Sequence, residues 1–569
     1  MKKRAFLSLV ILTVLLTSLL TSEIFSKTVS LTNSKGNKLY PVTSELISDR
    51  FGAEILIIWT EESDNGTLYA QKLNPDGSIA WGDFGKILIS NIGFSNDFPI
   101  IHPDQTGGAV IIFNLISANK EEIVALKINF DGSIESPVSI SGILPGNNSS
   151  PSSVVTEHDL IVITWENYYD GQYDIYAQAI DYNVNKIWND EQPAKVCDYE
   201  NDQRKPTLAT DGMGGVFVIW LDNRNAFESN LPYRQDLYAS RLDHDGTPYL
   251  NGHKGNLILS NSFNSISDNT GFNSPRKEVF YNHNVISSDN GTILLASDMF
   301  KEGREFIKLL KINTNLQVTD DKEILGKERT GDVRIYSNGN YGAFLVWKDK
   351  SFNSNLIMGG EFDKNLNTSY PENGDILSCE QSKGTEERIL PDIRIKNSMT
   401  VYNNNFFINW TNTDANRLFI SNMNLTDESY LCINTTEIQN SIDDGEYTSF
   451  TSQSDKLVIV YKYFNNIFAE IRELNEATKY ERTIGYRLGN FPNPFNPTTS
   501  INFFIPKDGF VSLKVYDITG KEVRTILNGF KPSGEHKVTF TANELSSGAY
   551  FYRLDANGII LTRRMTILK

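Results

Sequence analysis

The chain is poor in cysteine. Only Cys197, Cys379 and Cys432 occur in 569 residues, an odd number too small for a disulfide framework and too widely spaced for a zinc cluster. Six histidines, at 102, 158, 244, 253, 283 and 536, stand at no metal-ligand spacing. There is no Gly-x-Ser-x-Gly, no phosphate-binding P-loop and no dinucleotide fingerprint. Charge of one sign never runs on: the net −17 is dispersed, which excludes nucleic acid and anionic membrane surfaces as main partners, since both require a basic footprint. Helical periodicity is scarce, and past residue 20 no apolar run is long enough to cross a membrane.

What is present begins at the N-terminus. Lys2, Lys3 and Arg4 precede an apolar run from Ala5 to Leu20 and a polar exit. This is the pattern of an export signal, with cleavage expected near Ser22 or Ser26. No cysteine follows it, so lipid anchoring is not expected, nor is a membrane anchor in the mature chain.

Glycine is abundant at 39 residues, much of it in Asn-Gly and Asp-Gly pairs, and hydrophobic residues make up 40%. Together these indicate a packed all-β protein. Self-comparison shows a repeat. Apolar strands ending in an aromatic recur as "EILIIW" to Trp59, "AVIIF" to Phe113, "LIVITW" to Trp165 and "VFVIW" to Trp220. "AFLVW" to Trp347, "FFINW" to Trp410 and "LVIVY" to Tyr461 continue the series, and "TILLAS" (292–297) fills its one long gap. Each is preceded by a short segment ending in a turn and followed by an alternating strand, a turn such as "NPDGS" or "DHDGT", and a short fourth strand. The Asn-Gly and Asp-Gly turns suggest type I′ hairpins. Four strands repeating about every fifty to seventy residues imply the blades of a β-propeller, here eight, with seven plus one aberrant unit as the alternative. "TVSLT" (28–32) has the phase of a fourth strand, and the last repeat, ending at "FAEIREL" (468–474), lacks one. The N-terminal strand is therefore expected to complete the last blade and close the ring, leaving no open edge. The cysteines share one phase, in or just beyond fourth strands, so Cys379 and Cys432 are not expected to pair.

After a polar linker the period vanishes. "NFPNPFNPTTSINFFIP" (490–506) carries Pro492, Pro494 and Pro497, which remove backbone donors and favour an extended chain. Alternating strands follow: Val511, Leu513 and Val515 share one face, as do Tyr550, Tyr552 and Leu554, the pattern of a small immunoglobulin-like β-sandwich. Phe491 and Phe495 are placed to dock on it. The stretches 490–503, "VSLKVYDITGKEV" (511–523), "GEHKVTF" (534–540), "LSSGAYFYRL" (545–554) and the terminal "RRMTILK" closely resemble, in order and spacing, the C-terminal sorting domain of proteins exported by the type IX secretion system. An immunoglobulin-like domain of a flagellar hook-capping protein shares part of the motif. The resemblance implies passage through the periplasm and then the outer membrane, with the secretion machinery as partner and a secreted or surface location. It places the sorting signal on Phe491, Pro492, Asn493, Pro494, Phe495, Asn496, Pro497, Tyr516, Asp517, Gly520, Gly548 and Tyr550.

Chemistry in the repeat region is harder to find. "ESDNGT" (62–67) and "SSDNGT" (287–292) partly match the Asp-box of sialidase-type propellers, but the hydroxyl and aromatic expected beyond the glycine are absent, and a plain hairpin accounts for both. Glu61-Glu62 and Asp320-Asp321 read as solvated loop carboxylates. "DHDGT" (243–247) and "DNRN" (222–225) offer oxygen ligands that would suit calcium, and turn chemistry explains them equally; no other cofactor or metal is expected. The strand-end tryptophans read as blade packing rather than a sugar-stacking platform. The chain thus divides into a signal peptide (1–26), a propeller (27–475), a linker (476–488) and a sorting domain (489–569). Its expected function is that of a secreted scaffold or binding module for a glycan or protein. The alternative is an extracellular glycosidase-like hydrolase with dispersed catalytic groups.

Overall fold

The computed structural model describes residues 26–473 and 487–567 apart from connecting segments, the longest being 226–234, 261–281, 377–386, 389–398 and 425–433. Residues 1–25 of the expected signal peptide (1–26), Cys379, Cys432 and most of the linker lie outside these residues. Sheet 1 comprises Lys38–Ser48, Gly52–Glu61, Thr67–Leu73 and Lys86–Ser90. Sheet 2 comprises Ile100–Pro103, Ala109–Ser117, Lys120–Ile128 and Val138–Ser139. Sheet 3 is Asn147–Val155, Ile161–Tyr169, Gln172–Ile180 and Ala194–Cys197; sheet 4 is Gln203–Thr210, Val216–Asp222, Asp236–Leu242 and Asn256–Leu259. Sheets 5 and 6 repeat the plan from His283–Ser287 to Val318–Ile324 and from Arg329–Ser337 to Asp375–Ile376. Sheet 7 runs from Glu387–Arg388 to Asn434–Gln439 and carries the extra strand Met399–Tyr402. Sheet 8 has only Tyr447–Ser452, Lys456–Tyr463 and Asn466–Glu473 from its own stretch of chain.

The fourth strand of sheet 8 is Ser26–Ser30, antiparallel to Asn466–Glu473 with Ser26 opposite Arg472 and Ser30 opposite Phe468. Leu31 N–H donates to the Ile467 carbonyl at 2.8 Å, and the Ile467 N–H to Thr32 Oγ1 at 3.0 Å. Sheet 1 packs against both sheet 2 and sheet 8, so the sheets close a propeller ring, with first strands innermost. The closing strand starts at Ser26, inside the span assigned to the signal peptide.

The unbroken apolar runs follow from this stacking, because each sheet is buried on both faces. In "EILIIW", Ile55, Ile57 and Trp59 pack with Val458 and Val460 of sheet 8, while Leu56 and Ile58 pack with Ile111 and Phe113 of sheet 2. The strand-end aromatics lie in these seams. Trp59, Trp165, Trp220 and Trp347 are at most 1% exposed, so the packing reading holds for them. Trp59 stacks on its cross-strand partner Tyr69 at 5.7 Å, and Trp220 on Tyr238 at 6.4 Å. Gly255, at φ +64°, must be glycine, since a Cβ there would stand 2.4 Å from the Trp220 ring.

The turns between third and fourth strands differ from the type I′ expectation. In "NPDGS" only the fourth residue, Gly77, has positive φ, at 75°. The same place is taken by Gly132, Val184, Gly246, Leu316 and Leu366. The turn thus has one left-handed residue following a tight turn, which Asp76 braces by accepting the Ser78 N–H at 2.8 Å. Paired positive φ, as type I′ demands, occurs at Asn65-Gly66, Asp170-Gly171 and Asn290-Gly291.

These turns also join the sheets. The carbonyl of the second turn residue accepts a hydrogen bond from the preceding sheet: Phe130 from Lys72 (3.4 Å), Tyr182 from Lys127 (2.8 Å), His244 from Trp188 Nε1 (2.8 Å), Lys364 from Lys311 (2.8 Å) and Pro75 from Lys456. Three of these lysines occupy one repeat position, the penultimate residue of a third strand, with Arg241 as its counterpart in sheet 4. The cation also meets a carboxylate of its own sheet: Lys72 with Glu54 (2.8 Å), Lys127 with Asp104 (3.2 Å), Arg241 with Asp211 (2.8 Å) and Lys311 with Asp289 (3.1 Å). Asp104 and Asp211 in turn accept the N–H groups of Gly108 and Gly215, closing the hairpin between first and second strands.

The C-terminal unit is a two-sheet sandwich. One sheet is Arg487–Phe491, Thr498–Ile505 and Gly534–Thr541; the other is Glu522–Lys531, Gly509–Tyr516, Gly548–Ala556 and Ile559–Ile567. The strand Arg487–Phe491 begins inside the span expected as linker (476–488) and is the first element of the sandwich. Val511, Leu513, Val515, Tyr552 and Leu554 are buried together, as the alternation required.

Two outcomes are expected. A chain starting at Asn33 should aggregate or melt well below one starting at Ser26, because sheets 8 and 1 lose their closing strand; equal melting temperatures would contradict closure by this strand. Replacing Arg241, 7% exposed, by Met leaves Asp211, 1% exposed, as an unpaired buried carboxylate. Denaturant unfolding should show a loss of about 3–5 kcal/mol.

Candidate functional site

Hairpins between second and third strands and connections from one sheet to the next emerge on the same end of the ring. At the boundary of sheets 3 and 4 this end carries a cluster of tyrosines, arginines and carboxylates. The hairpin "ENYYDGQYD" of sheet 3 pairs Tyr168 with Tyr173, their rings 4.7 Å apart. Arg204, at the start of sheet 4, lies 3.7 Å over the Tyr173 ring and donates through Nε to Glu166 at 3.0 Å. The connection 198–202 crosses above: Asp202 accepts the Tyr173 N–H at 3.2 Å. Arg224 is held between the rings of Tyr199 (4.2 Å) and Tyr238 (3.9 Å). Its guanidinium is bidentate on Asp222, at 2.8 and 2.6 Å, and Asp222 also takes the Trp220 indole N–H at 2.8 Å. Tyr168 and Tyr199 remain 42% and 39% exposed.

The repeat separates bracing carboxylates from the rest. Glu166, fully buried, accepts the Lys205 N–H at 2.6 Å. Lys205, at φ +54°, sits in the bulge of the next sheet's first strand. Asp298 of sheet 5 does the same for sheet 6, accepting the N–H groups of Asp332 (2.9 Å) and Val333 (3.1 Å) at an equivalent bulge. Recurrence at two seams marks Glu166 as a structural brace. Burial raises its pKa and that of Glu121 on sheet 2, and each feels a charged neighbour: the Glu166 charge raises Glu121 further, while the partly exposed Arg204 opposes the rise at Glu166. Burial likewise raises Asp174, a rise that the hydrogen bond from Gln172 opposes.

The other sequence candidates are distributed. Asp289 of "SSDNGT" is bound by Lys311 at 3.1 Å and Lys364 at 3.0 Å. Glu61 is buried at the end of a strand and Glu62 accepts from Asn37 at 2.8 Å. Asp320-Asp321 lie within a fourth strand, not a loop, and Asp321 pairs with Lys308. In "DHDGT" Asp245 accepts the Thr247 N–H at 3.0 Å, and in "DNRN" Asp222 is committed to Arg224. The Cys197 thiol is buried and pushed up to about 12 by that burial, a poor nucleophile. His102 pairs with Ser153 at 2.7 Å, His253 with the Lys195 carbonyl at 2.6 Å and His536 with the Pro532 carbonyl at 2.7 Å. His158 lies against Gly214. Among the described residues no three His, Cys, Asp or Glu side chains converge as a metal site. The Tyr168–Arg204–Tyr199 corner was missed in the sequence; the signal that marks it is a hairpin with three tyrosines where those of sheets 1, 2, 5, 6 and 7 have none.

In the sandwich, Phe495 is the anchor foreseen, 2% exposed and edge-on to Phe540 at 6.1 Å. Phe491 ends the first strand, its side chain outside the described set, as are Pro492, Asn493, Pro494 and Gly520. Asn496 and Pro497 are exposed, and the Pro497 carbonyl accepts the Ala542 N–H at 2.8 Å. Tyr516 ends its strand, and Asp517 accepts the Lys521 N–H at 3.1 Å. Gly548 opens the strand in which Tyr550, buried, donates to the Ser546 carbonyl at 3.2 Å.

Residues 490–568 match the model of the secretion system C-terminal sorting domain. No curated protein matches the chain. Among solved structures, similarity extends to a puromycin-hydrolyzing peptidase of Mycobacterium tuberculosis (8% identity, TM-score 0.41), over 76% of this chain and 59% of that one. A protein of unknown function from Dyadobacter fermentans (9%, TM-score 0.33) covers 79% of this chain and 99% of its own. A polysaccharide lyase (9%, TM-score 0.35) covers 70% and 93%. The chain spans about three fifths of the first of these. The sorting domain implies export by the type IX system to the cell surface or medium.

His283 gives this region a pH dependence. It is 2% exposed at the start of sheet 5, and burial pushes its pKa down to about 4, with the Lys205 ammonium acting the same way. A neutral buried histidine contributes stability fully above the unfolded-state pKa near 6.5, and the contribution is lost as pH falls through 4. The total is roughly 3 kcal/mol. His283→Gln should therefore narrow its stability gap to the parent between pH 7 and pH 4, measured by urea unfolding. A gap independent of pH would show that the folded-state imidazole titrates as a solvated one.

Proposed function

We propose that this protein is a secreted or surface-held binding module, a propeller carried out of the cell by its sorting domain to present its hairpin end to a glycan or protein. The observation that carries the reading is the division of labour at the boundary of sheets 3 and 4. There the buried carboxylates Glu166 and Asp222 are committed to bracing, while tyrosine rings are left at the surface. A hydrolase is the second reading, favoured by Glu121, whose carboxyl group is pushed toward the neutral form by burial and by the neighbouring Glu166 charge, as a glycosidase acid would be. Route and address belong to the same proposal: a signal peptide takes the chain to the periplasm, and Phe491, Pro492, Asn493, Pro494, Phe495, Asn496, Pro497, Tyr516, Asp517, Gly520, Gly548 and Tyr550 are read by the type IX machinery.

Removing residues 487–569 should strand the protein in the periplasm of a host with that machinery, and residues 476–569 fused behind a signal peptide and a fluorescent protein should carry the cargo outside. An intact fusion confined to the periplasm would show that the sandwich is an accessory domain. A panel of glycan ligands and glycoside substrates, applied to the full chain and to Glu121→Gln, separates binding from hydrolysis: turnover abolished by Glu121→Gln would decide for the enzyme.

A further inference from the structure

We propose that the boundary of sheets 3 and 4 binds a neutral, hydroxyl-rich glycan, with sugar rings laid on Tyr168 and Tyr199. The proposal rests on the binding-module reading and gives it a place and a ligand class. Four observations converge. The hairpin departs from the repeat: the corresponding turns of sheets 1, 2, 5 and 6, "ESDNGT", "SANK", "KEGR" and "SFNS", lack tyrosine, so blade packing does not require Tyr168 or Tyr173 there. The rings are held from below. Tyr168 leans on Tyr173, which is capped by Arg204, and Tyr199 rests on the guanidinium of Arg224, itself fixed by Asp222. Little rotamer freedom then remains to be lost on binding.

Polar groups of the right kind surround the rings. Glu166 takes Arg204 through Nε, leaving the terminal nitrogens to donate to hydroxyl groups, and Asp198, Glu200 and Asp202 supply acceptors on the connection that carries Tyr199. The charge selects among glycans. Both arginines are matched by buried carboxylates, Lys195 is paired with Asp198 at 2.8 Å, and Asp170, Asp174, Glu200 and Asp202 add negative charge. A uronate or sulfated chain would be repelled; a neutral chain meets aromatic faces and hydrogen-bonding groups.

Tyr169 provides an internal control. It is 54% exposed but, as the next residue of a strand, it points to the opposite face of the hairpin, beside Gly146. The test is depletion of the full chain from solution by insoluble cellulose, starch, mannan and β-1,3-glucan, with alginate as the anionic probe. At least one neutral polysaccharide should retain the protein at low and high salt. Tyr168→Ala and Tyr199→Ala should each weaken retention about tenfold with unchanged melting temperature, and Tyr169→Ala should leave it unaltered. Retention by none of the neutral polymers overturns the proposal, as does salt-sensitive retention by alginate alone or equal loss in all three variants. Loss of a protein partner in Tyr168→Ala and Tyr199→Ala, with every glycan negative, would overturn the glycan assignment while leaving the binding module standing.

Discussion

A ring of sheets has no edge only if its two ends meet, and here they meet through the strand Ser26–Ser30. Its backbone pairs with Asn466–Glu473, bridging the beginning and end of the repeat region. With the pairing in place, sheet 8 is complete, its face can pack on Ile55, Ile57 and Trp59 of sheet 1, and Leu31 joins that seam. Every other seam is then compressed between two neighbours, the condition under which both faces of each sheet can be apolar.

Within the closed ring the seams are not purely greasy. The lysines at the penultimate position of third strands reach from a carboxylate of their own sheet to a turn carbonyl of the next. Apolar faces alone fix neither the depth nor the tilt at which sheets stack; a directional bond at the same height in successive seams does both. Trp188 replaces the lysine at one seam and keeps the acceptor, donating to the His244 carbonyl. The carbonyl position is thus more constant than its donor, because it belongs to the turn backbone.

Much of this was legible in the chain. The strand repeat, the two-faced burial, the displaced fourth strand and the packing role of Trp59, Trp165, Trp220 and Trp347 follow from periodicity and phase, which are local properties. The left-handed turn position was hidden because it is filled by Gly77 in one repeat and by Val184 or Leu316 in others, so glycine does not mark it reliably. The candidate site was hidden for a different reason. Whether Glu166 is a brace or a catalyst depends on where the Lys205 N–H of the next sheet falls, and no spacing within one repeat encodes that. The tyrosines were visible as letters, yet their convergence with Arg204 and Arg224 needs the stacking of sheet 4 on sheet 3.

The closing strand has a bearing on the order of events during biosynthesis. Ser26–Ser30 is made first and its partner Asn466–Glu473 only after seven other sheets have been translated, so the ring stays open throughout its own synthesis. The sorting sandwich follows, and its last strand, Ile559–Ile567, holds Met565 and Ile567 in the sandwich core. A chain cut short anywhere in the ring therefore lacks its address as well as its closure. The sorting domain and the ring's closure are thus both supplied only after the rest of the cargo, a form of proofreading that needs no dedicated inspector.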